Sequence, residues 1–144
     1  SYKEGPNIRP LVERVSKALA AENVKATITY VDDNSRDGSV ETIEKLKSEG
    51  YNAEIIVRTK ERGLSSAVVH GFNSVGGEFL VCMDGDLQHP PEKVPEMLKA
   101  LETHDFVIGT RYGDGFNVDK DWPMHRKIIS QGARMLARPL TPLS

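Results

Sequence analysis

An apolar run that stops at two aspartates, within residues 79–91, most constrains how this chain can fold. Residues 79–83 are apolar without interruption, which predicts a strand buried on both faces, as in a parallel sheet. Asp84 and Asp86 then follow at the carboxyl end of that strand, and Gln88 comes two residues later. In an open α/β sheet, ligands bind at that end because the connecting loops diverge there. The stretch therefore predicts a ligand site.

The side chains in this stretch favour a hard divalent cation. Mg²⁺ and Mn²⁺ bind one or two carboxylates and take their other oxygen ligands from water and substrate phosphates. Asp84, Asp86 and Gln88 supply oxygen atoms of this kind. Taken alone, the stretch is equally consistent with a solvated acidic turn in which Gly85 only supplies backbone freedom.

Helical and extended patterns alternate along the chain. Strands are predicted at residues 26–31, 53–57, 79–83 and 106–108. Amphipathic helical patterns contain residues 8–19, 40–46 and 64–72, and two more span 91–101 and 124–137. Strands separated by such helices predict an α/β fold with a mostly parallel, Rossmann-like sheet. Because successive strands then run the same way, Asp32 and Asp33 should face the same crevice as Asp84 and Asp86.

Composition limits the classes of function. The 144 residues suffice for one domain, and a net charge of −2 gives no electrostatic field for nucleic acid, so we expect no nucleic-acid partner. The single cysteine, Cys82, lies in the apolar run and is predicted to be a small buried hydrophobe. No run of about 18 apolar residues predicts a membrane-spanning helix.

The two ends of the sequence do not resemble those of a complete domain. The first helical pattern begins without the strand that should precede it, and residues 138–144 are a turn-rich stretch. We therefore expect residues 1–144 to be a fragment of one catalytic domain that lacks its first strand and its C-terminal part.

A phosphoacceptor receiver domain is an alternative from another class. It also has an acidic pair after a strand, a single aspartate after a later strand, such as Asp84, and then a hydroxyl residue such as Thr110. That pair normally follows the first strand, whereas here a helix and about thirty residues precede it. The receiver pattern also gives no role to Asp86, Gln88 or Arg111. A haloacid-dehalogenase-type phosphatase fits less well, because Leu-Gln follows the second aspartate where Gly-Thr is expected.

Six short strings occur in the order that is typical of glycosyltransferase family 2. They are SYKE at residues 1–4, VDDNSRDG at 31–38, RGLSSA at 62–67, MDGDLQHPP at 83–91, GTRY at 109–112 and WPMHRKIIS at 122–130. The chain resembles this family over nearly its whole length. The pairing of LQHPP with the Trp-Pro segment is most similar to the polyprenyl-phosphate branch of the family.

The resemblance implies a fold and an activity. The fold is of the GT-A type, and the activity is metal-dependent transfer of mannose, with inversion, from GDP-mannose to dolichyl or another polyprenyl phosphate. A relative that uses a UDP-sugar remains the alternative, and a descendant that only binds nucleotide is a third. Membrane association would come through parts outside this chain or through partner subunits. The expected location is the cytosolic face of the endoplasmic reticulum membrane in a eukaryote, or the cytoplasmic membrane face in a prokaryote.

The resemblance also implies roles for residues at the donor site. It places Tyr2, Glu4 and Asp33 around the nucleoside, although capping of a helix is an alternative role for Asp33. It further implies that Mg²⁺ or Mn²⁺ is held against the diphosphate by three side chains, namely Asp84, Asp86 and Gln88.

The remaining implied roles concern phosphate groups. Arg111 would bind the leaving diphosphate, and Arg126 and Ser130 would bind the acceptor phosphate. The two arginines suit these roles because a guanidinium donates two parallel hydrogen bonds to phosphate oxygens. Asp86, Arg111 and Arg126 are thus the expected catalytic residues. A phosphate acceptor is already anionic, so no strong general base is needed.

Overall fold

Helices and strands alternate in the computed structural model of this chain, which describes residues 4–110. In chain order the elements are α1 (Gly5–Ala21), β1 (Ile28–Asp32), α2 (Ser39–Ser48), β2 (Ala53–Val57), α3 (Leu64–Ser74), a 3₁₀ turn (Pro91–Lys93) and α4 (Val94–Leu101). This order confirms the predicted α/β class. Among the described residues, 4–107 belong to one compact unit. That residues 1–144 form one catalytic domain stays a prediction.

The two strands form a parallel pair. Tyr30 lies opposite Ile55, and Asp32 at the end of β1 lies opposite Val57 at the end of β2. Parallel strands need a crossover connection, which α2 provides here. Both strands consequently end at the same edge, where the Arg58 amide donates to the Asp32 carbonyl at 2.7 Å.

Helix α1 lies between two apolar clusters because its apolar residues cover two adjacent faces. Ile8 and Val12 point to the sheet and α2, whereas Leu11, Val15 and Leu19 point to α4. The first cluster is completed by the buried residues Tyr30, Ile43, Leu46 and Ala53. The second contains buried Val94 and also half-buried side chains from the segment before α4, which are Val81, Met83 and Leu87. Helix α1 therefore anchors both the sheet and the acidic segment.

The strand predicted at residues 79–83 is wrong. Among residues 4–110 these five residues pair with no strand, and Phe79 and Leu80 are 39% and 40% exposed. Cys82, predicted to be buried, is exposed. Only Val81 and Met83 pack inward, against α1 and α4. An apolar run indicates burial, but a strand also needs a hydrogen-bonded neighbour, and none of the described segments supplies one.

Two further predictions concern the end of the described region. The strand predicted at residues 106–108 is wrong, because these residues are not extended in a sheet and Phe106 and Ile108 are 73% and 76% exposed. The helix predicted at residues 124–137 lies outside the described residues. Of the helices within residues 4–110, none has the length and apolarity needed to cross a bilayer.

Gly5 begins α1 in close contact with the loop after β1. A Cβ atom on residue 5 would lie 2.8 Å from the Asp37 carbonyl oxygen. Although alanine usually favours a helix over glycine, we expect Gly5→Ala to lower the free energy of unfolding by about 1–3 kcal/mol, measured by urea denaturation. Gly76→Ala is the matched control, because its Cβ would meet nothing within 4 Å. Equal stability of the two variants would contradict this contact.

Candidate functional site

The loop after β1 is held in an unusual backbone conformation. Asn34, Arg36 and Gly38 all have positive φ angles, of 57°, 52° and 86°. The buried Asp32 carboxylate stabilises the turn by accepting hydrogen bonds from the Ser35 amide, at 2.8 Å, and from the Ser35 hydroxyl. Beside this loop lies a cavity of about 270 Å³ at the carboxyl ends of both strands.

Asp33 is buried and has a charged partner. Its Oδ1 accepts from Arg58 Nε at 2.7 Å and lies 2.6 Å from Arg58 Nη2, and its Oδ2 accepts from the Gly63 amide at 2.8 Å. Burial raises the pKa of Asp33, but the Gly63 hydrogen bond and the Arg58 guanidinium outweigh it, so the pKa lies below its usual value. Asp33 is therefore a carboxylate at neutral pH, and both of its oxygens are engaged. Its predicted contact with the nucleoside stays a prediction.

Asp37 connects the start of α2 to the start of α1. Its Oδ1 accepts from the Ser39 amide and hydroxyl, and its Oδ2 accepts from the Gly5 amide at 2.9 Å. Gly38 is the N-cap residue of α2, and the first amide of the helix, that of Ser39, donates to Asp37 and not to Asp33. The Gly5 contact holds the neighbouring Glu4 close to the loop after β1. Glu4 itself accepts a hydrogen bond from the Asn7 side chain and remains a predicted nucleoside ligand.

The Asp37 hydrogen bonds predict a pH dependence of stability. Burial raises the pKa of Asp37, but hydrogen bonds from Ser39 and Gly5 outweigh it, so the pKa lies below its usual value of 3.8. A carboxyl group whose pKa is lower in the folded than in the unfolded state stabilises the fold at any pH above its unfolded-state pKa. This stability is lost as the pH falls through the folded-state pKa. We expect Asp37→Asn to be about 1 kcal/mol less stable than wild type at pH 7. The difference should shrink below pH 3.8 in urea titrations; a constant difference would contradict the assignment.

Asp84 and Asp86, which form the D-x-D pattern, lie in a turn at residues 84–88, the D-x-D turn, that packs on β1. A Cβ atom on Gly85 would lie 3.3–3.4 Å from the Tyr30 hydroxyl and ring, so the turn approaches the strand closely. The Asp84 side chain is 49% exposed. Asp86 is half-buried, and its Oδ1 accepts from the Gln88 amide at 3.0 Å. The structure thus brings this turn against the strand that ends at Asp32, directly before Asp33.

Leu87 fixes the conformation of this turn. Its φ angle is 62°, a left-handed conformation that is costly for a branched side chain. The Leu87 side chain packs into the second apolar cluster beside α1 and α4. Packing of one apolar side chain therefore holds Asp86 and Gln88, on either side of it, in a defined backbone geometry.

The donor set at the turn fits Mg²⁺ or Mn²⁺. Asp84 and Asp86 offer exposed or half-exposed carboxylate oxygens, and Gln88 offers an amide oxygen. Within residues 4–110 no group of three His, Cys, Asp or Glu side chains is arranged to hold a metal by itself. Two carboxylates and one amide oxygen suit a cation that keeps several waters and binds substrate phosphates. His89 is close, since its Nε2 lies 3.8 Å from Asp84 Oδ2, and its Nδ1 faces the Asp84 amide at 3.4 Å.

Several predicted site residues lie outside the described residues. They are Tyr2, Arg111, Arg126 and Ser130. A second cavity, of about 550 Å³, is lined by residues 101–106 and includes none of the predicted site residues.

Sequence reasoning missed Arg58. It follows β2 directly, is 5% exposed and pairs with Asp33 across 25 residues of sequence. The available indication that Arg58 belongs to the site was its position directly after a predicted strand, at the edge of the sheet where ligands bind. A buried arginine almost always has a partner, which here is Asp33.

Nearly the whole chain is similar in sequence to known proteins. Residues 1–142 match the family described as Glycosyl transferase family 2. The chain is 60% identical over 149 aligned residues to a dolichol-phosphate mannosyltransferase of Mycosarcoma maydis, covering 100% of this chain and 51% of that protein. A protein of the same name from Saccharomyces cerevisiae is 56% identical, over 98% of this chain and 53% of that protein.

A more distant relative extends the comparison to archaea. The dolichol-phosphate mannosyltransferase of Pyrococcus furiosus is 43% identical over 99% of this chain and 40% of that protein. The chain thus spans about half the length of the curated relatives it matches, or less. The acidic turn beside a parallel α/β sheet, and a match that runs from residue 1 to residue 142, lead to one conclusion: the chain belongs to glycosyltransferase family 2.

Proposed function

We propose that this chain is the donor-binding part of an enzyme that transfers mannose from GDP-mannose to dolichyl or another polyprenyl phosphate. The observation that carries the proposal is the D-x-D turn packed on β1 through Gly85 and Tyr30, in a chain whose relatives are named dolichol-phosphate mannosyltransferase. Family membership removes the ground for the receiver-domain alternative.

The donor would be bound from two sides. Glu4 and Asp33, with Tyr2, would contact the nucleoside, while Asp84 and Asp86 would face the diphosphate. Both aspartates, with Gln88, would hold Mg²⁺ or Mn²⁺ there. A bound cation supplies Lewis-acid neutralisation of the charge on the departing nucleoside diphosphate.

The transfer step would be a direct displacement at the anomeric carbon. An oxygen of the acceptor phosphate forms the new bond to that carbon as the bond to the diphosphate oxygen breaks, so GDP leaves and the configuration inverts. Arg111 would stabilise the leaving diphosphate, and Arg126 with Ser130 would orient the acceptor phosphate. The acceptor is anionic near neutral pH, so none of these residues needs to remove a proton.

The acceptor determines where such an enzyme works. A polyprenyl phosphate resides in a membrane, so we propose that the protein acts at the cytosolic face of the endoplasmic reticulum membrane in a eukaryote, or at the cytoplasmic membrane face in a prokaryote. Segments outside this chain or partner subunits would provide the membrane association.

A transfer assay tests the proposal. The full-length protein is incubated with labelled GDP-mannose, a polyprenyl phosphate and Mn²⁺, and label in the lipid fraction is measured. We expect label that depends on both lipid and metal. Transfer from a UDP-sugar in place of GDP-mannose would support the UDP-sugar alternative. Tight binding of nucleotide without transfer from either donor would indicate a binding protein and contradict the proposal.

A further inference from the structure

Arg58 is a buried cation to which the proposed transfer assigns no role. It directly follows β2, and its side chain is 3% exposed. Besides Asp33, its guanidinium contacts Ser66 Oγ at 3.0 Å and the Gly63 carbonyl oxygen at 3.1 Å. Glu61 lies further away, at 3.7 Å, and its side chain is 70% exposed. The guanidinium is therefore satisfied by one buried carboxylate and by two part-buried oxygen atoms.

These contacts join three segments of the chain. Asp33 lies just after β1, Arg58 just after β2, and Gly63 and Ser66 at the beginning of α3. The Gly63 amide also donates to Asp33 Oδ2 at 2.8 Å, which closes a ring of hydrogen bonds through all three. All of them lie beyond the carboxyl ends of the parallel strands, where ligands bind in α/β sheets. The planar guanidinium donates in several fixed directions at once, as this ring requires.

We propose that Arg58 is a positioning residue for nucleotide binding, which sets the Asp33 carboxylate and the start of α3 in one arrangement before the nucleotide arrives. The inference rests on the proposed function, because it assigns the crevice to a nucleotide. Without Arg58, the loop of residues 58–63 and the Asp33 side chain would have to be ordered during binding. Ordering groups in advance raises affinity by reducing that cost.

Arg58→Lys is the most informative variant. An ammonium group can still neutralise Asp33, but it cannot reach Ser66 and the Gly63 carbonyl in the fork geometry of a guanidinium. We expect the full-length wild type and the variant both to unfold cooperatively, and the variant to bind GDP about tenfold more weakly in the presence of Mn²⁺. Its KM for GDP-mannose should rise by about the same factor, with a smaller change in kcat.

Arg14→Lys is the matched control. Arg14 forms a bidentate pair with Glu92, with both hydrogen bonds at 2.8 Å, but its side chain is 41% exposed and its partner belongs to the 3₁₀ turn before α4. The same chemical change there should leave GDP affinity unchanged. If Arg58→Lys is folded and binds GDP as wild type does, the positioning role is refuted.

Two further results separate the possible failures. If Arg58→Lys does not fold, Ser66→Ala tests the positioning role in its place. It removes one partner of the guanidinium and leaves the ion pair with Asp33 intact. Weaker GDP binding by folded Ser66→Ala would support positioning, and unchanged binding would assign Arg58 to folding alone. Failure of folded wild type to bind GDP would contradict the proposed function, and with it the inference, which rests on that function. GDP binding by wild type that is unchanged in folded Arg58→Lys would overturn the inference alone.

Discussion

Arg58→Met should lower the free energy of unfolding by about 3–5 kcal/mol, because it leaves the Asp33 carboxylate buried without its charged partner. Both side chains of this pair are less than 10% exposed, at 3% and 7%, so water cannot replace the lost partner. Urea or guanidinium denaturation at pH 7 measures the change. Arg14→Met is the exposed control, and we expect it to change stability by less than about 1 kcal/mol.

A double variant tests whether charge causes this loss. Asp33→Asn keeps a side-chain oxygen for the Gly63 amide and removes the negative charge. The variant that combines Asp33→Asn with Arg58→Met should therefore be more stable than Arg58→Met alone, although it carries one more substitution. A double variant less stable than Arg58→Met would show that lost packing or hydrogen bonds, and not the unpaired charge, cause the effect.

Asp86→Ala and Asp84→Ala should each lower mannosyl transfer by about a hundredfold or more, because each removes one of the two carboxylates that the D-x-D turn offers a divalent cation. Nucleotide binding should lose its dependence on Mn²⁺ in both variants, as calorimetry can show. Gln88→Ala should have a smaller effect, of about tenfold, since a neutral amide contributes less to cation binding.

The matched control for these variants is Asp105→Ala. Asp105 is an exposed aspartate after α4, so its removal changes net charge equally without touching the D-x-D turn. We expect transfer and metal dependence to match wild type. Metal-dependent nucleotide binding that persists in Asp84→Ala and Asp86→Ala would contradict the assignment of the metal to this turn.

The sequence predicted the elements whose formation depends on local pattern. Apolar spacing in α1 and α2 located both helices, and the strand predicted at residues 53–57 matches β2. The strands predicted at 79–83 and 106–108 were wrong, because an apolar run reports a tendency to be buried and not which segment supplies a neighbour. Residues 81 and 83 are partly buried because they pack against a cluster whose buried members belong to α1 and α4.

The candidate site was predictable in composition but not in its internal contacts. The D-x-D stretch and the acidic pair after β1 were recognisable because they follow apolar or strand-like runs. The ion pair of Asp33 with Arg58 joins residues 25 apart in sequence, and although Arg58 follows a predicted strand, the sequence does not indicate which carboxylate it pairs with. The left-handed backbone at Leu87 was likewise unexpected, since tertiary packing holds it there against the local preference of leucine.

The most direct test of the account is calorimetric binding of GDP and of UDP to the full-length protein, each with and without Mn²⁺. We expect GDP to bind more tightly than UDP, and its binding to require Mn²⁺. Preference for UDP would contradict the assignment of GDP-mannose as donor. If folded protein bound neither nucleotide with metal present, the D-x-D turn would not be a nucleotide site, and the proposed function would be wrong.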